Sequence, residues 1–156
     1  MIELNELQII DTDNYNIPNN VNISNIIFKN KVTFIGKYEN ISFKNLIFEY
    51  DVEFSATFIG NIIFKNIDFK KNVTFKRAYF QTNKNNQINQ ACFSNVYIYG
   101  NADFKDFSHQ MEFKKLNITG IKFKNKPINL KKTIKLLGDS YNEQVDEINN
   151  RNYPNF

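Results

Sequence analysis

Short triplets, an apolar residue, any residue, then Phe or Ile, recur along the chain at a spacing that few folds can accommodate. Their last residues are Ile23, Phe28, Phe34, Phe43, Phe48, Phe54, Phe64, Phe69 and Phe75. After a polar stretch the series resumes at Phe93, Ile98, Phe104, Phe113, Ile118 and Phe123. The steps 23 to 43, 28 to 48 and 34 to 54 are each 20 residues, and 43 to 64, 48 to 69 and 54 to 75 are each 21. A triplet that alternates in, out, in is a very short strand with both apolar residues on one face. Segments this short, separated by two or three polar residues, suit neither helices nor an ordinary sandwich. They suit a solenoid, in which each coil lays its strands on the next at about 4.8 Å. The interior then holds columns of like residues. The spacing predicts one column of Phe43, Phe64, Phe93 and Phe113, a second of Phe28, Phe48, Phe69, Ile98 and Ile118, and a third of Phe34, Phe54, Phe75, Phe104 and Phe123.

The interval after the third triplet has room for a fourth side. The second coil supplies Ala56-Thr57-Phe58 and the third Ala78-Tyr79-Phe80, whereas the first offers only Tyr38 and the fourth only Phe107. Together with Ala91-Cys92-Phe93 and Ala102-Asp103-Phe104, these segments resemble the core of the pentapeptide repeat, where a small residue lies two before a central Leu or Phe. The resemblance runs from about Ile23 to Leu130. It implies an all-β right-handed quadrilateral β-helix, with interaction, including modulation of DNA gyrase or another topoisomerase, as the family's business. The chain departs from the pattern by placing Val, Ile or Leu at most small positions (Val32, Ile41, Leu46, Val52, Ile62, Ile67 and Val73), so a three-sided parallel β-helix stays open as an alternative.

Residues 1–22 carry four acids and no base, and Ile2, Leu4, Ile9, Ile10 and Ile17 suit a segment that caps one open end. Residues 23–130 form the β-helix of about five coils. Leu130, Ile134, Leu137, Tyr141, Val145 and Ile148 follow helical steps, which predicts an amphipathic helix over 131–150, followed by a tail at 151–156. The face of Ile134, Leu137, Tyr141, Val145 and Ile148 either caps the far end of the column or pairs with its mate in a homodimer. Residues 81–90 have almost nothing to bury and are expected to project as a loop. Gln81, Asn83, Lys84, Asn85, Asn86 and Gln87 are its candidate partner-binding residues; loops projecting from gyrase-protecting relatives can be important to activity. Outside the column, Asn25, Asn45, Asn66 and Asn95 each lie two residues after a first-column residue, which predicts a stacked Asn ladder. Lys29, Glu49 and Lys70 are expected to stack with alternating sign, and Lys44 on Lys65 like on like.

The 156 residues include one Cys, one His and five Gly. That rules out a disulfide framework, a zinc site of Cys and His, and a Gly-rich phosphate loop. His109 reads as a lone surface histidine, and Cys92 as an exposed thiol without an activating neighbour. Glu53, Asp68, Asp103 and Glu112 fall on different sides or on non-adjacent coils, so no acid pair is implied. The hexapeptide acyltransferases need an 18-residue coil, and the period here speaks against them. No cofactor and no catalysis are expected. Lys and Arg outnumber Asp and Glu nine to five over residues 23–80 and seven to three over 81–130. The body is therefore basic, the wrong sign for a mimic of DNA's negative field. The partner expected is another protein, with weak non-specific attraction for anions. No run is long enough for a transmembrane segment, and the expected location is a bacterial cytoplasm.

Overall fold

In the computed structural model the chain is a quadrilateral β-helix of about five turns with a C-terminal helix. The structure describes residues 1–6, 8–11, 21–85, 88–113, 115–130 and 139–156. Every strand pair is parallel, as a solenoid requires when each coil repeats the direction of the last. The first and second sides share one bent strand: β3 (Asn22–Phe28), β5 (Ser42–Phe48), β7 (Asn61–Phe69) and β10 (Gln90–Ile98). The third and fourth sides share β4 (Val32–Glu39) and β6 (Val52–Ile59), then separate into β8 (Val73–Thr74) with β9 (Tyr79–Gln81) and β11 (Ala102–Asp103) with β12 (Ser108–His109). At the N-terminal end, β1 (Ile2–Leu4) pairs with β3 and β2 (Gln8–Asp11) with β4, so this segment adds a partial coil to both sheets. Ile17 lies outside the described residues.

The corners explain why the strands bend where they do. Asn25, Asn45, Asn66 and Asn95 all adopt left-handed backbone, with φ between 53° and 59°. Asn tolerates that region better than any other residue with a side chain except Asp. Gly36 (φ 96°) turns the third side into the fourth in the first coil, and Asn40 (φ 52°) and Gly60 (φ 85°) turn the fourth side into the next coil. In the coils after β6 the third corner takes one extra residue: Val52 pairs with Val73 but Thr57 with Tyr79. The extra residues, Arg77 (φ 63°) and Asp106 (φ 59°), absorb the turn.

Inside, rings stack within the first three columns at 4.4–5.3 Å with planes 2–13° apart, as in Phe43–Phe64–Phe93, Phe28–Phe48–Phe69 and Phe34–Phe54–Phe75–Phe104. Between columns they meet edge to face, for example Phe34 on Phe43 at 85°. Rings such as Phe34, Phe43, Phe54, Phe64 and Phe75 thus have both preferred aromatic geometries at once. No buried polar or charged side chain occurs among the described residues. The fourth side is more regular than its sequence suggests, because Tyr38 is buried level with Phe58. In the fourth coil Ser108 and His109 pair with Tyr79 and Phe80, which sets Phe107 level with Ala78, in the small-residue position.

The last coil corrects the expected columns. Leu116 and Asn117 of β13 (Leu116–Asn117) pair with Ala91 and Cys92, which sets Ile118, not Phe113, level with Phe93. In β14 (Ile121–Phe123), Phe123 pairs with Ile98 in the second column rather than joining the third. Phe113 belongs to no column; fully buried, it fills an extra bend and packs on Phe80 at 5.7 Å. Gly120 gives the physical reason. It lies level with Asn95, where an added Cβ would fall 2.0 Å from the Phe93 carbonyl oxygen. With Phe113 in the first column, that corner position would fall to Lys115 instead of a residue without a Cβ.

Candidate functional site

With the interior filled by rings, what the molecule offers a partner is its four outer faces, its loop and its ends. The expected Asn ladder is present. Asn45 Nδ2 donates to Asn25 Oδ1 at 3.1 Å, Asn66 to Asn45 at 3.1 Å, and Asn95 to Asn66 at 2.9 Å. A second ladder, unforeseen in the sequence, runs along the corner before the third side. Asp51 Oδ1 accepts from the Asn72 N–H at 3.1 Å, and Asn72 Oδ1 from the Asn101 N–H at 2.8 Å. The signal was there: each residue immediately precedes the small position of a third-side triplet, Val52, Val73 or Ala102. Both ladders spend the polar atoms on neighbouring coils, so these corners are structural.

The loop at 81–90 is tied down at its base. Asn83 N–H donates to Asn89 Oδ1 at 2.7 Å, closing the neck, and the Asn83 amide also donates to Glu39 two coils away. Thr82 donates twice to Gln110 Oε1, from N–H and hydroxyl, each at 3.0 Å. The Gln81 carbonyl accepts from Gly60 N–H, within the coil stack. Gln81 and Asn83 are therefore anchors, while Lys84 and Asn85 are exposed at the tip, as is Ile88. Asn86 and Gln87 lie outside the described residues.

At the far end α1 (Asp139–Asn150) lies against the last coil. Val145 and Ile148 are buried in the common core, so neither has surface left to offer a second copy. Ile134 and Leu137 lie outside the described residues, and of Tyr141 only the backbone is described. Three polar side chains hold this end. Gln144 accepts from Ile118 N–H at 2.9 Å and donates to the Leu116 carbonyl at 3.3 Å; Arg151 donates to the Ile121 carbonyl at 2.9 Å. They satisfy backbone groups that would otherwise be an open sheet edge. Tyr153 OH donates to the Ile148 carbonyl at 2.6 Å, and burial pushes its pKa above the usual phenol value, with Arg151 pulling the other way.

The surface concavities are shallow. One of about 280 Å³ lies between Gln90, Cys92, Lys115 and Gln144; another of about 260 Å³ follows the second ladder at Asp51, Asn72 and Asn101. Cys92 is half-buried on the first face rather than exposed. His109 is also half-buried, at the position Phe80 fills one coil earlier, with Nδ1 3.0 Å from the Gln110 carbonyl. No group of three His, Cys, Asp or Glu residues comes together among the described residues, and no helix there is long and apolar enough to cross a membrane.

Charge and rings gather on the second face. Lys29, Glu49 and Lys70 do stack on successive coils, but the ion pairs run to Glu3 and Asp68, each at 3.6 Å. Lys44 and Lys65 are level with each other on the first face. Around the second face of the last coils, Lys70 sits 4.2 Å from the Tyr99 ring centre and Lys122 5.4 Å from that of Tyr97. No family model matches the chain, and no curated protein or solved structure is found to match it.

Proposed function

We propose that this β-helix is a non-catalytic scaffold for protein–protein interaction, working in a bacterial cytoplasm and akin to the pentapeptide-repeat proteins. The observation that carries the reading is the filled interior. Ring columns occupy the whole cross-section, so recognition has to happen on outer rows whose spacing the coils fix at about 4.8 Å. Rigid, repeating rows suit an extended protein surface better than a small molecule, which prefers an enclosed apolar cavity. The four-sided coil of 20 to 21 residues with Phe inward supports the kinship; the Val, Ile and Leu at small positions make it a divergent one.

The test is a photo-crosslinking residue placed at one outward position per face, at Ile63, Tyr97, Thr74 and Thr57 in turn. Discrete protein adducts from one face are expected. Equal labelling from all four faces, or none, would remove the reading. A supercoiling assay with purified gyrase, with and without a quinolone, decides the gyrase alternative. No effect at micromolar protein is expected, because the column carries the sign opposite to DNA.

A further inference from the structure

We infer that the second face over the last coils is a docking surface for an acidic protein segment bearing an aromatic residue, and that the chain's own Phe156 occupies it in the unbound state. The inference rests on the scaffold reading and names its surface. The register sets Lys70, Tyr99 and Lys124 level on successive coils, and beside them Asp68, Tyr97 and Lys122. Residues 97 and 99 share a face because side chains alternate along a strand. Phe156 lies across both rings, 4.6 Å from Tyr99 and 5.8 Å from Tyr97 between ring centres, yet it remains 43% exposed. The two tyrosines thus accept a ring, and the ring they hold is at the surface, where a competitor reaches it. Charge complementarity gives the rest. Lys70, Lys122 and Lys124 surround the pair; of the carboxylates in these rows, Asp68 is already 3.6 Å from Lys70, and Glu49 lies one coil before Lys70, farther from Tyr99. Lysine offers mobile point charges that meet carboxylates at varied spacing. Single-stranded nucleic acid fits less well. Successive bases need successive ring platforms, and here the two Tyr rings hold a single ring between them, with a lysine beside each. A partner ring that replaces Phe156 keeps every one of these contacts.

The test is fluorescence anisotropy of the full chain with a labelled peptide of Glu residues flanking one Phe. Saturable binding is expected, weakened roughly tenfold by Tyr99→Ala and by the pair Lys70→Glu with Lys124→Glu, and weakened again by salt. Phe156→Ala is the decisive variant: removing the internal occupant should tighten binding about threefold or more. These side chains lie outside the core, and an unchanged melting temperature checks that each variant is folded. Unchanged or weaker binding by Phe156→Ala overturns the inference. So does equal binding of a peptide with Ala in place of Phe, or tighter binding of a matched thymidine oligonucleotide. If the peptide does not bind while photo-crosslinks form from another face, this surface is wrong and the scaffold reading stands.

Discussion

The middle coils and the last coil are built from the same kinds of triplet, yet they are held by different forces. In the second and third coils, Phe48, Phe54, Phe58, Phe64 and Phe75 each lie between two other rings: Phe64 is 4.8 Å from Phe43 and 4.4 Å from Phe93. Their corners are Asn45 and Asn66, joined by a direct side-chain hydrogen bond. In the last coil the first column ends in Ile118, the corner is Gly120, and the Asn ladder stops. The loss of ring stacking and ladder is offset by single polar tethers from the helix, Gln144 and Arg151. Stacking is therefore a property of the interior of a column, and an end must be closed by other means. The two regions should fail differently.

The largest failure is expected in the middle. Phe64→Asp puts a carboxylate between stacked rings, with no partner available in an interior free of buried polar side chains. The cost is on the order of 5 kcal/mol or more, comparable to the whole stability of an ordinary domain. The variant should show no cooperative urea transition by circular dichroism. A wild-type midpoint would mean that the column has been assigned to the wrong face.

Next comes the ladder. Asn66→Ala removes one hydrogen bond up and one down, and forces alanine into left-handed backbone at φ 57°. The two effects together are worth roughly 2–4 kcal/mol. Asn66→Gly loses the same bonds but relieves the backbone, so about half of that loss should return. If glycine and alanine prove equally destabilising in urea titrations, the corner geometry contributes nothing and the hydrogen bonds alone explain the Asn.

These contrasts also show what was readable beforehand. From Phe28 to Phe104 the first three columns could be written down from spacing alone, because each of those sides offers one triplet per coil. Its last residue recurs every 20 or 21 residues up to the 81–90 loop, and the same steps between sides resume after it. Beyond Phe104 the sequence offers two candidates for the first column, Phe113 and Ile118, and apolar spacing cannot choose between them. In the register observed the corner is Gly120, which without a Cβ fits against the Phe93 carbonyl, and the apolar spacing carries no trace of that contact. Asp51, Asn72 and Asn101 were legible by spacing but stand before their triplets rather than after. The tyrosine and lysine cluster at Tyr97, Tyr99 and Phe156 was not legible. It needs the register of three coils and the path of the tail, which no local pattern encodes.

Smaller effects should appear at the closed end and stay there. Gly120→Ala drives a Cβ into the Phe93 carbonyl, costing about 2 kcal/mol by displacing the corner. Gln144→Ala leaves the Ile118 N–H and Leu116 carbonyl without their side-chain partner, about 1–2 kcal/mol. Hydrogen exchange should register both as faster exchange from Leu116 to Phe123, with Phe43–Phe69 protected as before. Loss of protection throughout the column would show that the end and the middle unfold as one unit, and the distinction between them would fall.

The smallest expected effect separates the same two regions by pH. Tyr153 holds the tail to the helix through its hydroxyl proton, and burial raises its pKa above 10.0. The folded state therefore binds this proton more tightly than the unfolded chain does. Its contribution is intact below the ordinary phenol value and is lost as pH rises through the raised one. Exchange at the C-terminal end should accelerate across that alkaline window while the aromatic columns remain unaffected. Tyr153→Phe should abolish the dependence, because no proton is left to lose. If the phenylalanine variant keeps it, ionisation elsewhere is loosening the end, and Tyr153 is merely packed there.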